Sequence, residues 1–131
     1  MIKIFTFLTL FAILIISSCH KDEHRYFYLK NNSSKSIYYG ISYSYPDTSL
    51  QKIEDVPGRN GNISYRIIAG DQETLLTALF AINTPMQVFI FDANVIEKIP
   101  WDSIVIHHMV LKRYQYTESD IEKDIWTITY P

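Results

Sequence analysis

Few side chains in this sequence are equipped for chemistry. Histidine is the side chain best matched to proton transfer near neutral pH, and the chain has four. His20 and His24 lie in a charged stretch near the N-terminus, where no fixed geometry is expected. His107 and His108 are adjacent, and neighbours on a strand point to opposite faces. The pair could share one metal ion only if the chain bends there, so hydrogen-bonded histidines at an element boundary are the expectation. Glu118, Asp120, Glu122 and Asp124, with Lys123 among them, read as the polar face of a surface helix. A glycosidase-type carboxylate pair needs a fixed separation that sequence spacing does not supply. There is no Gly-x-Ser-x-Gly elbow, no phosphate-cradling glycine loop and no His-Glu-x-x-His zinc signature. A single cysteine rules out an intramolecular disulfide and a multi-cysteine metal site. The expectation is a protein with no catalytic residue, no metal and no cofactor.

Aromatic residues make up 15% of the chain, led by ten tyrosines. Ser36 to Tyr45 alternates with period two, placing Ile37, Tyr39, Ile41, Tyr43 and Tyr45 on one face and Ser36, Tyr38, Gly40, Ser42 and Ser44 on the other. The first face is expected to be core. On the second, small neighbours would leave the ring of Tyr38 uncovered. A flat tyrosine among small polar residues can stack on a sugar, covering apolar C–H while its hydroxyl stays wet. Tyr38 is therefore the candidate ligand-binding residue, the alternative being a ring packed under a loop or on a second sheet. Trp101 and Trp126 sit in apolar settings and are expected in the core.

The elements that would carry these residues are mostly strands. Asn31-Asn32-Ser33-Ser34 reads as a turn after a strand beginning near Tyr26, and Pro46 ends the Ser36–Tyr45 strand. Pro57-Gly58 and Asn60-Gly61 are turn signals, followed by a strand at Ile63–Ile68 and a turn at Ala69-Gly70-Asp71. Gln72 to Ile82 fits a helix or a strand. Met86 to Phe91 is continuously apolar, which predicts a central strand buried on both faces. Asp92-Ala93-Asn94 can cap a short helix through Lys98, and Pro100 can begin another through Ile106. Met109–Tyr116 reads as a strand, Thr117 caps a helix Glu118–Lys123, and Trp126–Tyr130 makes a last strand. The fold class is mainly β or α+β: one antiparallel, sandwich-like domain, with two or three short helices over one edge or end. Strictly alternating βαβ units are missing from the first half, which argues against a doubly wound parallel sheet.

With 131 residues, the chain has room for one domain. Its 47% apolar and 20% charged residues fit neither disorder nor a multi-pass membrane protein. Net charge is −2, from 12 basic and 14 acidic residues, so there is no electrostatic case for nucleic acid. At the N-terminus, Lys3 precedes an apolar run from Ile4 to Ile16 interrupted only by Thr6 and Thr9. As a helix this run spans about 20 Å, short of the ~30 Å hydrocarbon core. A cleaved signal peptide fits it better than a membrane span. Ile16-Ser17-Ser18-Cys19 resembles a bacterial lipobox, which implies that the Cys19 sulfur takes a diacylglycerol after cleavage. Residues 1–18 are then the signal peptide, 19–25 an acylated charged tether, and 26–131 the globular domain. Several acyl chains, at roughly 0.8 kcal/mol per buried CH₂, would hold such a protein on a membrane.

Lys21-Asp22-Glu23, directly after that cysteine, resembles the lysine-plus-acidic signal with which Bacteroidota lipoproteins reach the outer face of the outer membrane. Asp102-Ser103-Ile104 resembles the tripeptide at which those bacteria O-glycosylate exported proteins, on the Ser103 hydroxyl. The ordered set Leu111-Lys112-Arg113-Tyr114, Thr117, Asp120 and Trp126-Thr127-Ile128-Thr129-Tyr130-Pro131 resembles the ending of a group of small lipoproteins from gut Bacteroidota. That resemblance implies an address and a single-domain extent, and it carries no activity or binding residue. The expected protein is a lipid-anchored, surface-exposed outer-membrane lipoprotein that binds a glycan or another envelope protein. The alternative is a structural or accessory subunit docking through a sheet edge, and a small hydrolase is the third reading.

Overall fold

A computed structural model describes residues 26–58, 65–76, 84–121 and 126–131. Cys19, Lys21, Asp22, Glu23 and the rest of the signal and tether lie outside the described residues, as do Asn60-Gly61, Ile63 and Ser64 of the Ile63–Ile68 strand, residues 77–83, Glu122 and Asp124.

In chain order the elements are β1 (Tyr26–Asn31), β2 (Ile37–Ser42), a 3₁₀ turn (Leu50–Lys52), β3 (Arg66–Ile67), β4 (Gln72–Leu76), β5 (Met86–Asp92), α1 (Ala93–Lys98), α2 (Trp101–Ile106), β6 (Lys112–Tyr116), α3 (Glu118–Ile121) and β7 (Trp126–Tyr130). They form a three-stranded sheet of order β4-β1-β7 and a four-stranded sheet of order β3-β2-β5-β6. All pairings are antiparallel except β1 with β7, which is parallel and sets Leu29 beside Ile128. That pair is the one parallel pairing among the described strands of a mainly β, sandwich-like fold that is otherwise antiparallel, as the sequence predicts. A parallel partner needs a long connection, and here nearly the whole domain lies between the two strands.

The two sheets enclose one core. Phe27 and Leu29 from β1 and Ile128 from β7 meet Ile37, Tyr39, Ile67, Met86, Val88 and Ile90 from the opposite sheet. A second core, holding Tyr38, Leu50, Ile53, Phe89, Phe91, Ala93, Ile96 and Ile104, lies on the other side of the four-stranded sheet. β5 serves both, with Met86, Val88 and Ile90 facing one core and Phe89 and Phe91 the other. This is why its sequence is continuously apolar. α1 and α2 therefore cover a sheet face, where an edge or end was expected. Each helix is short because its ends are well signalled. Asp92 Oδ1 accepts the Asn94 amide at 2.8 Å to start α1, Pro100 stands at the N-cap of α2, and Thr117 gives its amide to Asp120 Oδ2 at 2.7 Å before α3.

On β2 the packed alternative for Tyr38 holds, and the uncovered ring does not. The strand's Ser/Gly face is buried: Tyr38 is 2% exposed and Ser42 fully covered. Gly40 faces inward because Ile53 occupies the space a side chain would need, with Ile53 Cγ2 2.9 Å from where a Cβ would stand. Small residues here mark close approach. On the other face Tyr39 is core and Tyr43 half-buried, whereas Tyr45, beyond the end of β2, is 40% exposed and does not join the core. Asn31, also fully buried, ties the β1–β2 turn to β3: its amide nitrogen donates to the carbonyls of Lys35, Ile67 and Ile68, and its Oδ1 accepts from Ser33.

Candidate functional site

Tyr38 does not offer its ring to a ligand, because the helical layer covers it. Only its hydroxyl reaches the margin, donating to Glu97 Oε1 at 3.3 Å. Arg66 Nε donates to the same oxygen at 3.0 Å, so Glu97 joins β2, β3 and α1. Burial, with the neighbouring Glu97 carboxylate, pushes the Tyr38 phenol up, and Arg66 partly opposes this. The expected aromatic ligand platform is thus a structural ring.

The other candidates are scattered. Ser103 lies half-buried in the first turn of α2, its amide donating to the Pro100 carbonyl at 3.0 Å. His107 and His108 are both exposed in the turn after α2, and His108 adopts a left-handed φ of 48°. That is the element boundary expected for them, between the helix ending at Ile106 and the strand that follows. Asp120 is spent on Thr117. Among the described residues no three His, Cys, Asp or Glu side chains are grouped to hold a metal ion. No described helix is long and apolar enough to cross a membrane.

A concave site does exist, on the helical side. The Pro57-Gly58 turn forms one wall and the α1–α2 junction, Ile99-Pro100-Trp101-Asp102, the other. They bound an open groove of about 420 Å³ based on Ile96 and Ile104, within the size range of small-ligand sites. Two local features shape it. Gly58 has φ of 72°, a left-handed conformation that a turn accepts readily only from glycine, and a Cβ there would collide with Ile96 Cγ2. Pro100, extended at φ −56° and ψ 141°, turns the chain between α1 and α2 at the α2 N-cap. The Trp101 ring is half-buried and rests edge-wise against Phe91, with centroids 5.8 Å apart. It is fixed from the core side while it lines the groove. Asp102 is exposed at the rim and makes no hydrogen bond or ion pair with another described residue. Neither His107 nor His108 lines the groove.

The groove therefore joins an aromatic ring, an aliphatic base and one uncommitted carboxylate. Such a set can bind by apolar contact and hydrogen bonding, and among the described lining residues no nucleophile is paired with a base. Its parts were visible in the sequence only as a turn, a helix start and a core tryptophan. Nothing in their spacing says that residues 56–58 and 96–104 face each other. No protein-family model, curated protein or solved structure matches the chain.

Proposed function

We propose that the protein is an outer-membrane lipoprotein, anchored through Cys19 and displayed at the cell surface, that acts as a non-catalytic glycan-binding module. The observation carrying the binding role is the open groove, in which Trp101 and Asp102 stand side by side above Ile96 and Ile104. An aromatic ring beside a hydrogen-bonding carboxylate suits a ligand with an apolar C–H face and peripheral hydroxyls. The lipobox-like Ile16-Ser17-Ser18-Cys19 and the following Lys21-Asp22-Glu23 support the address. Ser103 remains the proposed O-glycosylation site on sequence grounds.

Two observations favour this over edge docking as an accessory subunit. β6, one edge of the four-stranded sheet, carries the exposed charges Lys112 and Arg113, a common device against strand addition. On β7, an edge of the other sheet, the Tyr114 hydroxyl donates to the Thr129 carbonyl at 3.1 Å. The experiment is a polysaccharide and host-glycan screen with the purified full chain, repeated with Trp101→Ala, alongside palmitate labelling of wild type and Cys19→Ala. Glycan binding lost in Trp101→Ala, and labelling lost in Cys19→Ala, are the expected results. Binding indifferent to Trp101 would overturn the site, and continued labelling would overturn the anchor.

A further inference from the structure

The charge of the groove narrows the ligand further, on the footing of the binding reading above. Among the described residues Asp102 is the one charged residue in its lining. The nearby Glu97 carboxylate is held by Arg66 Nε at 3.0 Å, so that pair brings little net charge to the site. Lys98, in the last turn of α1, is exposed and does not line the groove. Among the described residues that line the groove, a ligand thus meets one negative charge and no cation. A carboxylate only accepts hydrogen bonds, and its two oxygens can take neighbouring hydroxyls together. It offers nothing to a second carboxylate or a sulfate, which would be repelled at contact distance. The other lining residues are apolar apart from their backbone, which suits the C–H face of a sugar ring.

We infer that the groove takes a neutral, hydroxyl-rich sugar of mono- or disaccharide size and discriminates against uronic-acid and sulfated glycans, with Trp101 meeting the ring face and Asp102 accepting adjacent hydroxyls. Because Asp102 is exposed, replacing its charge leaves the fold alone and changes selection directly.

The test is isothermal titration of the full chain against neutral disaccharides and their uronic-acid counterparts, with wild type, Asp102→Asn and Trp101→Ala. The expected pattern is neutral-sugar binding that weakens about tenfold in Asp102→Asn, a difference of ~1.4 kcal/mol. Acidic counterparts should bind wild type at least about tenfold more weakly than neutral ones, with the gap narrowing in Asp102→Asn. Acidic sugars binding as well as neutral ones, still lost in Trp101→Ala, would overturn the selectivity and leave the binding module standing. Neutral-sugar binding unchanged in Asp102→Asn would overturn the role of Asp102. No sugar of either kind binding at Trp101 would overturn both readings. Unchanged thermal unfolding of Asp102→Asn is the folding control.

Discussion

Truncating Tyr38 separates a structural ring from a surface ring. The side chain is 2% exposed and belongs to the apolar cluster of Phe89, Phe91, Ile96 and Ile104 between β2 and the helices. Tyr38→Ala empties that volume, and loss of a large aromatic side chain from a core costs about 3–5 kcal/mol. The hydroxyl contributes much less: its bond to Glu97 is 3.3 Å long, and Glu97 keeps Arg66 at 3.0 Å when the phenol is gone. Tyr38→Phe should cost about 1 kcal/mol or less. Total stability for such a domain is of order 5–15 kcal/mol, so Tyr38→Ala removes a large share of it. At about 4 °C or more per kcal/mol, its Tm should fall by more than ~12 °C. The assay is urea unfolding of wild type, Tyr38→Phe and Tyr38→Ala by tryptophan fluorescence and far-ultraviolet circular dichroism, with m compared across variants. Tyr38→Ala within ~1 kcal/mol of wild type would refute the burial argument and return the ring to the surface.

Gly58→Ala forces a side chain into a left-handed φ and against Ile96; it should cost about 1–2 kcal/mol from the backbone alone and weaken any groove ligand, read by urea midpoint and titration together. Tyr114→Phe frees the Thr129 carbonyl on the β7 edge; a stability loss of about 1 kcal/mol or less is expected, with concentration-dependent association in sedimentation velocity. Burial and adjacent carboxylates push the Tyr39 phenol far above its ordinary 10.0, and Tyr43 and Tyr65 are raised too. A phenol raised in the folded state stabilises fully below pH 10 and loses that contribution as pH climbs through the raised value. Urea midpoints should be flat from pH 8 to 9.5 and fall above about 10, less steeply in Tyr39→Phe. A midpoint that rises above pH 10 would contradict that sign.

The sequence determined the local elements and the central strand. Continuous apolar character at Met86–Phe91 requires cover on both faces of a strand, and Asp92 and Pro100 signal helix starts through side-chain oxygen and fixed φ, effects confined to a few residues. Tertiary structure decided what lay opposite those faces. The small residues of β2 read as an open surface because Gly40 and Ser42 have little to bury. They are covered because Ile53 and the helical layer need the space they leave. The parallel β1–β7 pair joins the two ends of the domain, and no short-range pattern encodes such a partner. The groove was hidden for the same reason: the Pro57-Gly58 turn and the Ile99–Asp102 junction become two walls only when α1 and α2 pack on Phe89 and Phe91. Residue type fixes what each side chain can do, whereas long-range packing fixes which side chains do it together.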